Sequence, residues 1–270
     1  MSATIRRLTV ADLPAALSLS QAAGWNQKET DWRNLLRLAP ETCFALELDG
    51  VLAATTTAIC YQRTLAWIGM VLTDSLYRRR GFARRLLEHT LQALAARQVE
   101  CIQLDATEMG APLYRALGFT EQSAIERWSR PPGPSTAPTA FSYEPCYLLD
   151  RDTFGADRSR LLETLAPFGA ASIPNRAYAM SRPGSQAAYF GPCVSRSPEA
   201  ARGLLAWFLA SHAGQPAYWD LLPSNAAAVG LARDHGFAPV RRLARMALSG
   251  TSVLARNDSQ MFAIAGFEFG

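Results

Sequence analysis

Three consecutive arginines followed by a glycine, Arg78-Arg79-Arg80-Gly81-Phe82-Ala83, form the segment of this chain whose residue types and spacing best suit chemistry. The segment falls between an apolar run and a stretch of helical periodicity. A turn there leaves several backbone N–H groups without partners at the positive end of a helix dipole, which makes an anion site. Gly81 and Ala83 carry little bulk, so phosphate oxygens can approach the main chain, and the guanidinium groups add charge beside it. A diphosphate suits such a turn. The plainer reading is a solvated helix entry at which Gly81 merely begins the helix. The nucleotide alternatives lack their residues, because neither Gly-x-x-x-x-Gly-Lys-Ser/Thr nor Gly-x-Gly-x-x-Gly occurs in the chain.

Composition narrows the class of partner. With 49% hydrophobic and 19% charged residues among 270, the chain reads as a folded globular protein with room for one large or two smaller domains. The net charge of +4 is dispersed, unlike the concentrated basic face that nucleic-acid binding requires. No apolar run approaches the roughly 20 residues that span a bilayer, and the start, Met1 to Arg7, has no apolar core behind its charges, so a cytoplasmic protein is expected. Five scattered cysteines without a Cys-x-x-Cys pair argue against a disulfide framework and a zinc site. His89, His212 and His235 fall on a polar helix face, at a helix end and before a glycine, and none suggests a metal.

The elements that must hold the arginine turn alternate between strand and helix. Ile5 to Val10 reads as a strand, followed by a helix from Asp12-x-Pro14 to about Ala23 and another over Asp31 to Leu38. Cys43 to Leu48 and Val51 to Ile59 flank Asp49-Gly50, the dipeptide that suits a two-residue type I′ hairpin. Leu65 to Leu72 is too short and too uniformly apolar for anything but a central strand. From Phe82 the apolar positions recur at helical spacing. Cys101 to Asp105 then reads as a strand, and Ala111 to Leu117 as a helix closed by Gly118. Residues 130–140 hold four of the sixteen prolines and read as linker or surface loop. Beyond them come a helix near Asp157 to Leu165, strands near Ala177 to Met180 and Ala187 to Phe190, a helix over Pro198 to Ser211, a strand near Ala217 to Leu222 and a helix ending at Gly236. The fold class is α/β, or α+β, with a mixed sheet flanked by helices in each half.

The second half echoes the first. Thr107-x-x-Gly110-x-x-Leu113-Tyr114-Arg-Ala-Leu-Gly118-Phe119 overlays Asn225-x-x-Ala228-x-x-Leu231-Ala232-Arg-Asp-His-Gly236-Phe237 at an offset of 118 residues, and Leu86-Leu87 overlays Leu204-Leu205 at the same offset. Fixed-spacing similarity marks duplicated units. The expected division is 1–130, a linker over 131–145, and 146–270. Between Gly69 and Gly81 the first copy has 13 residues, whereas Gly191 to Glu199 of the second has nine and lacks the arginine–glycine feature apart from Arg196.

The stretch Val71-Leu-Thr73-Asp-Ser-Leu-Tyr77-Arg78-Arg-Arg-Gly81-Phe-Ala83, followed by Leu113-Tyr114-Arg-Ala-Leu-Gly118-Phe119, resembles the acetyl-coenzyme A site of the GNAT N-acetyltransferases. Arg78, Gly81 and Ala83 match their Arg/Gln-x-x-Gly-x-Gly/Ala signature. The whole chain resembles bacterial tandem GNAT proteins whose second domain has lost the cofactor loop; Gly24-Trp25-Asn26, Arg241 to Met246 and the ending Phe262 to Gly270 fit that subgroup. The resemblance implies acetyl-CoA as cosubstrate, no metal, and a cofactor set of Val71, Leu72, Thr73, Arg78, Arg79, Arg80, Gly81, Phe82 and Ala83. It also implies that the strand around Val71 to Thr73 splays from its neighbour, freeing N–H groups to polarise the thioester carbonyl. Tyr114 would protonate the leaving thiolate. Thr107 departs from the family, which often has asparagine there, and Ala232 of the second copy stands where the first has Tyr114, so the active centre is expected in the first domain.

The buried strand carries no carboxylate, which leaves the base open among Asp105 or Glu108 at the next strand's end, and Glu29 or Asp31 acting through water. Trp25 and Trp32 are candidate walls of an acceptor pocket, though aromatics at this spacing also serve as core. The second domain is expected to shape that pocket, cover the site or mediate dimerisation. The activity expected is acetyl transfer to the amine of a small molecule or amino-acid-like acceptor, by a monomer or homodimer that engages neither nucleic acid nor membrane. Its rivals are a non-catalytic CoA sensor and transfer of a longer acyl chain.

Overall fold

The computed structural model describes residues 3–134, 140–252 and 254–270. Its first half runs β1 (Ala3–Arg7), α1 (Leu13–Ala22), α2 (Glu29–Leu38), β2 (Cys43–Leu48), β3 (Val51–Tyr61), β4 (Leu65–Thr73), α3 (Phe82–Ala96), β5 (Ile102–Ala106), α4 (Ala111–Ala116) and β6 (Phe119–Arg130). The second half runs α5 (Tyr147–Phe154), α6 (Ser159–Leu165), β7 (Ala170–Ile173), β8 (Ala177–Arg182), β9 (Ala188–Ser195), α7 (Pro198–Ser211), β10 (Ala217–Leu221), α8 (Ala226–Asp234), β11 (Ala238–Leu248) and β12 (Met261–Ala263).

Local chemistry explains most of these boundaries. The β2–β3 turn is the two-residue one, with Asp49 at φ 48° and Gly50 at φ 86°. Helix α3 buries Phe82, Leu86, Leu87, Thr90 and Leu94, the stripe visible in its sequence. Helix α7 starts at Pro198 and is capped by Ser197, whose hydroxyl accepts from the Ala200 N–H. The repeat reuses one cap: Thr107 Oγ1 accepts from the Gly110 N–H at 3.1 Å ahead of α4, and Asn225 Oδ1 from the Ala228 N–H at 3.0 Å ahead of α8. Thr107 thus does the capping that asparagine does in the other copy.

Two expectations need revision. The strand expected near Ala187 to Phe190 runs on through Gly191 as β9 to Ser195, whereas β4, expected over Leu65 to Leu72, ends at Thr73. The loops to compare are therefore Asp74 to Gly81 and the two residues Arg196 and Ser197. Helix α5 and strands β7, β11 and β12 were not foreseen; β7 and β12 are short, and α5 adjoins the proline-rich stretch. Of that stretch, residues 135–139 lie outside the described residues.

The two halves share one sheet, in the order β1-β2-β3-β4-β5-β11-β6-β10-β9-β8-β7, with β12 pairing β9 off that path. Strand β11 of the second half lies between β5 and β6 of the first, and β6 in turn pairs β10. Each half thus completes the other's sheet, and a hydrophobic cluster containing both Trp67 and Tyr178 spans them. Breaking the halves apart would expose the edges of β5 and β10, which makes their separation costly.

Candidate active site

Parallel strands β4 and β5 pair only over Ala66–Ile68 and Ile102–Leu104. Beyond Ile68 they diverge, although β4 continues to Thr73. A bulge accompanies the divergence: Thr55 faces Leu72 but Thr57 faces Gly69, Met70 takes φ 48°, and its carbonyl accepts from Thr55 Oγ1 at 2.8 Å. The bulge turns β4 away from its neighbour and leaves main-chain groups of Gly69 to Thr73 facing a cleft. This cleft is one end of a cavity of about 1280 Å³.

At the mouth of the cleft, the Asp74 carboxylate accepts from the Leu76 N–H at 2.8 Å and holds a short 3₁₀ turn over Ser75–Tyr77. Arg79 and Gly81 take left-handed φ values of 61° and 79°, which bring the chain sharply into α3. The first helical bond of α3 is Arg85 N–H to Gly81 O, at 3.0 Å. The N–H groups of Phe82, Ala83 and Arg84 therefore have no helical partner, and no acidic residue occupies the first turn. Val71, Leu72, Thr73, Arg78, Arg79, Gly81, Phe82 and Ala83 all line the cavity. Arg80 does not line it; its guanidinium lies over the Tyr77 ring, 5.5 Å from the centroid. Tyr114 lines the cavity from α4, with its ring edge-on to Phe119 at 6.0 Å, and burial pushes its phenol above the ordinary value, keeping it protonated.

Among the described residues the second copy shows no such opening. Its parallel pair, β9 with β10, is registered over Ala188–Phe190 and Ala217–Trp219, and the space beyond is filled by β12, which pairs Met261 with Val194 and Ala263 with Cys193. The Ile264 N–H then donates to Asp220 O at 3.0 Å. The chain's own terminal segment occupies there the place that remains open between β4 and β5.

That same segment goes on to form the far wall of the open cavity. Tyr61 Oη donates to Phe269 O at 2.6 Å, Trp67 Nε1 to Phe267 O at 2.9 Å, and Arg158 Nη1 to Gly270 O at 3.1 Å. The pinned tail presses Glu268 onto the β4 bulge: a Cβ on Gly69 would sit 2.9 Å from Glu268 Cα. The Glu268 carboxylate is buried, lines the cavity and accepts from Arg182 Nη2 at 3.1 Å through Oε1. Arg182 also faces Asp31 at 3.4 Å, so two carboxylates share one guanidinium. Burial raises the Glu268 carboxyl above its ordinary value, against the pull of Arg182, and does the same to Asp31. Beside Glu268, Arg127 lies 4.6 Å over the Phe267 ring and is held by both oxygens of Asp220 at 2.8 and 2.7 Å. Arg241 and Arg242 of β11 complete this end.

The cavity gathers some of the residues foreseen and excludes others. Trp25 lines it and Glu108 stands exposed at its edge. Trp32 is corrected: it is wholly buried in the core, donating from Nε1 to Ser20 Oγ at 3.2 Å, and cannot wall a pocket. Asp105 reaches the cavity, and both its oxygens accept from Arg245, at 2.9 and 3.0 Å, so its carboxylate is engaged in an ion pair. Glu29 is exposed and pairs with Arg33, and neither it nor Asp31 lines the cavity. The residues missed are Arg127, Arg241, Arg242, Phe267 and Glu268. Four of them lie in the stretches Arg241 to Met246 and Phe262 to Gly270 that carry the subgroup resemblance, but only the strand exchange and the returning tail bring them to the cavity. Among the described residues, no group of three or more His, Cys, Asp or Glu side chains could hold a metal ion.

Family models match both halves of the chain. The acetyltransferase (GNAT) family model matches residues 9–119, and an acetyltransferase (GNAT) domain model matches residues 147–263. The [ribosomal protein bS18]-alanine N-acetyltransferase of Escherichia coli (strain K12) is 33% identical over 126 residues, 44% of this chain and 81% of that protein. The chain belongs to the GNAT acetyltransferase family.

Two solved structures share its whole architecture at low identity. A putative acetyltransferase from Pyrococcus horikoshii superposes with a TM-score of 0.88 at 22% identity, covering 99% of this chain and 96% of the other. A GCN5-related N-acetyltransferase from Sphaerobacter thermophilus gives 0.65 at 14% identity, covering 91% and 95%. These two likenesses establish the fold alone. In this GNAT chain the tandem arrangement follows from the two matched segments. Among the described residues no helix is long and apolar enough to cross a membrane.

Proposed function

We propose that this GNAT acetyltransferase transfers acetyl from acetyl-CoA to the amine of a small or amino-acid-like acceptor, using the cavity between β4 and β5. The observation that carries the reading is the coincidence of a strand segment, Gly69 to Thr73, that pairs with β3 but has no partner on its β5 side, with an uncapped, arginine-flanked helix N-terminus at the other side of one continuous cavity. An extended cofactor with a diphosphate fits this. Gly81 has open space where a Cβ would project, so an anion can reach the N–H groups of Phe82 to Arg84.

Bound acetyl-CoA supplies an activated acyl carbon and a thiol leaving group. The chain supplies the rest. Main-chain N–H groups at the β4 bulge stabilise charge that develops on the carbonyl oxygen, a contribution whose removal typically costs about 10²- to 10³-fold in rate. Tyr114, a phenol that carries its proton at neutral pH and that burial moves further from ionisation, donates that proton to the departing sulfur. The second half serves the first: β11 and the terminal segment wall the acceptor end, and β12 seals the second half's own cleft.

The relative's acceptor, an alanine amine of a ribosomal protein, favours a second reading in which a protein N-terminus enters the same end. Thiol release from acetyl-CoA, followed with an amine panel and with alanine-initiated peptides, separates the two. Tyr114→Phe is expected to lower turnover about 10²-fold or more while leaving desulfo-CoA affinity within twofold of wild type. Unchanged turnover removes the acid role, and absence of desulfo-CoA binding to the unaltered protein removes the reading as a whole.

A further inference from the structure

The acceptor end of the cavity holds two opposite, incompletely used charges. Glu268 accepts from Arg182 through Oε1 alone, and Oε2 takes no hydrogen bond from another residue among those described. Arg182 is already shared with Asp31 and also donates to Ala265 O at 2.7 Å. The charged and titratable groups around Glu268 are therefore Arg182 of β8, Asp31 of α2, Arg127 of β6, with Asp220 of β10, and the phenols Tyr189 of β9 and Tyr61 of β3. Asp220 consumes the charge of Arg127, so this set keeps one carboxylate in surplus. Such a surplus, lining an acceptor cavity, attracts a cation.

Arg241 shows the reverse. Neighbouring Arg242 pairs with Glu126 at 3.1 Å, and Arg127 pairs with Asp220. Arg241 lines the same cavity half-buried, and its guanidinium makes no hydrogen bond or ion pair among the described residues. Burial, and then the nearby Arg127, disfavour its charge, so an incoming anion would find a guanidinium short of a partner.

We infer that the acceptor is an amine that also bears an acid group, with Glu268 receiving the ammonium and Arg241 the carboxylate or other acid. The inference rests on the acetyl-transfer reading and narrows it to a substrate class. In the step it describes, the ammonium's N–H bond breaks and an O–H bond forms on Glu268. The freed nitrogen lone pair bonds to the acyl carbon, the C–S bond breaks, and the sulfur takes the Tyr114 proton. The product nitrogen gives up its second proton, which restores the phenol through solvent, and Glu268 releases its proton to solvent. One proton is lost overall per acetyl transferred.

The test uses the full-length protein and named probes: the L-amino acids and the amines formed by their decarboxylation, each with acetyl-CoA and a thiol readout. In parallel, calorimetry titrates the same amino acids into protein saturated with desulfo-CoA, which binds without reacting. At least one amino acid is expected to exceed its decarboxylated amine about tenfold or more in kcat/KM. Arg241→Ala is expected to weaken binding of that amino acid about 10- to 100-fold in the calorimeter and to erase its advantage over the amine. Glu268→Gln, which keeps size and hydrogen bonding, is expected to cut turnover about 10²- to 10⁴-fold with unchanged desulfo-CoA affinity and an unchanged or higher melting temperature.

Decarboxylated amines that react as well as the acids overturn the inference, as does an Arg241→Ala variant with intact discrimination. Glu268→Gln turning over within threefold of wild type overturns the proton step. Failure of both probe series on a protein that binds desulfo-CoA rejects the acceptor class and leaves the cofactor reading standing. Failure to bind desulfo-CoA would instead remove the underlying reading, and this one with it.

Discussion

Gly69→Ala places the smallest possible perturbation between the two parts of the site. The added Cβ would lie 2.9 Å from Glu268 Cα and 3.3 Å from both Glu268 Cβ and O, against about 3.5–4.0 Å for a comfortable carbon contact. One backbone must move by about 0.6–1 Å. Strand β4 is held by its pairing to β3, and the tail by three hydrogen bonds from Tyr61, Trp67 and Arg158 as well as by the wholly buried Phe269. Overpacking against backbone that cannot yield costs about 1–3 kcal/mol, which for a chain of this size lowers Tm by roughly 2–4 °C per kcal/mol. A displacement near 1 Å at a reacting centre costs about 10²-fold in rate. The expected outcome is a variant that melts lower and turns over slowly but binds desulfo-CoA normally, since the loop from Asp74 to Gly81 is untouched. A double-mutant cycle isolates the cause: in a chain truncated after Ala265, Gly69→Ala should carry little further penalty. Wild-type melting and turnover in Gly69→Ala, or an equal penalty with and without the tail, would refute the packing of the tail on the bulge.

Three further outcomes follow from the same structure. Gly81→Glu should raise the Kd for desulfo-CoA by about 100-fold or more while the protein stays folded, because the new carboxylate meets the anion site and the left-handed φ of 79° costs only about 1 kcal/mol to a side chain; calorimetry reads the first and a melting curve the second. Asp220→Ala leaves Arg127 buried and unpaired, for an expected loss of about 3–5 kcal/mol in urea unfolding, whereas Asp234→Ala, whose pair with Arg202 is exposed, should cost under about 1 kcal/mol. Asp12 is held below the ordinary carboxylate range by its bond to Arg6, so its contribution is present above the unfolded-state value and disappears as pH falls through the depressed one. Asp12→Asn should therefore flatten the stability profile below about pH 4 and lower stability at neutrality, with no change in the acid limb counting against the pairing.

The arginine turn that we propose holds the cofactor's diphosphate was legible in the chain because everything it needs is local. A turn of left-handed and extended residues, a helix start without a capping side chain, and three arginines lie within a few positions of one another, and the periodicities on either side place them between strand and helix. The duplication was legible for the same reason: the cap residues Thr107 and Asn225 recur at one offset and do one job. Arg80 shows the limit of composition, since three adjacent arginines on a turn cannot all face one way.

The acceptor end was settled only by tertiary structure. Glu268 is about 200 residues from the strand it touches, and Arg241 arrives because β11 crosses into the first half's sheet. Neither position carries a helical or alternating pattern that points across the molecule. Burial also reversed one assignment that residue type had suggested, for Trp32 is a core side chain, and the fold pairs the candidate base Asp105 with Arg245. Residue order along the chain dictates local turns, caps and amphipathic faces, whose energies are short-ranged. Which distant charges end up sharing a guanidinium, and which of two similar clefts stays open, depends on strand pairing between the halves, and that becomes fixed only when the whole sheet closes.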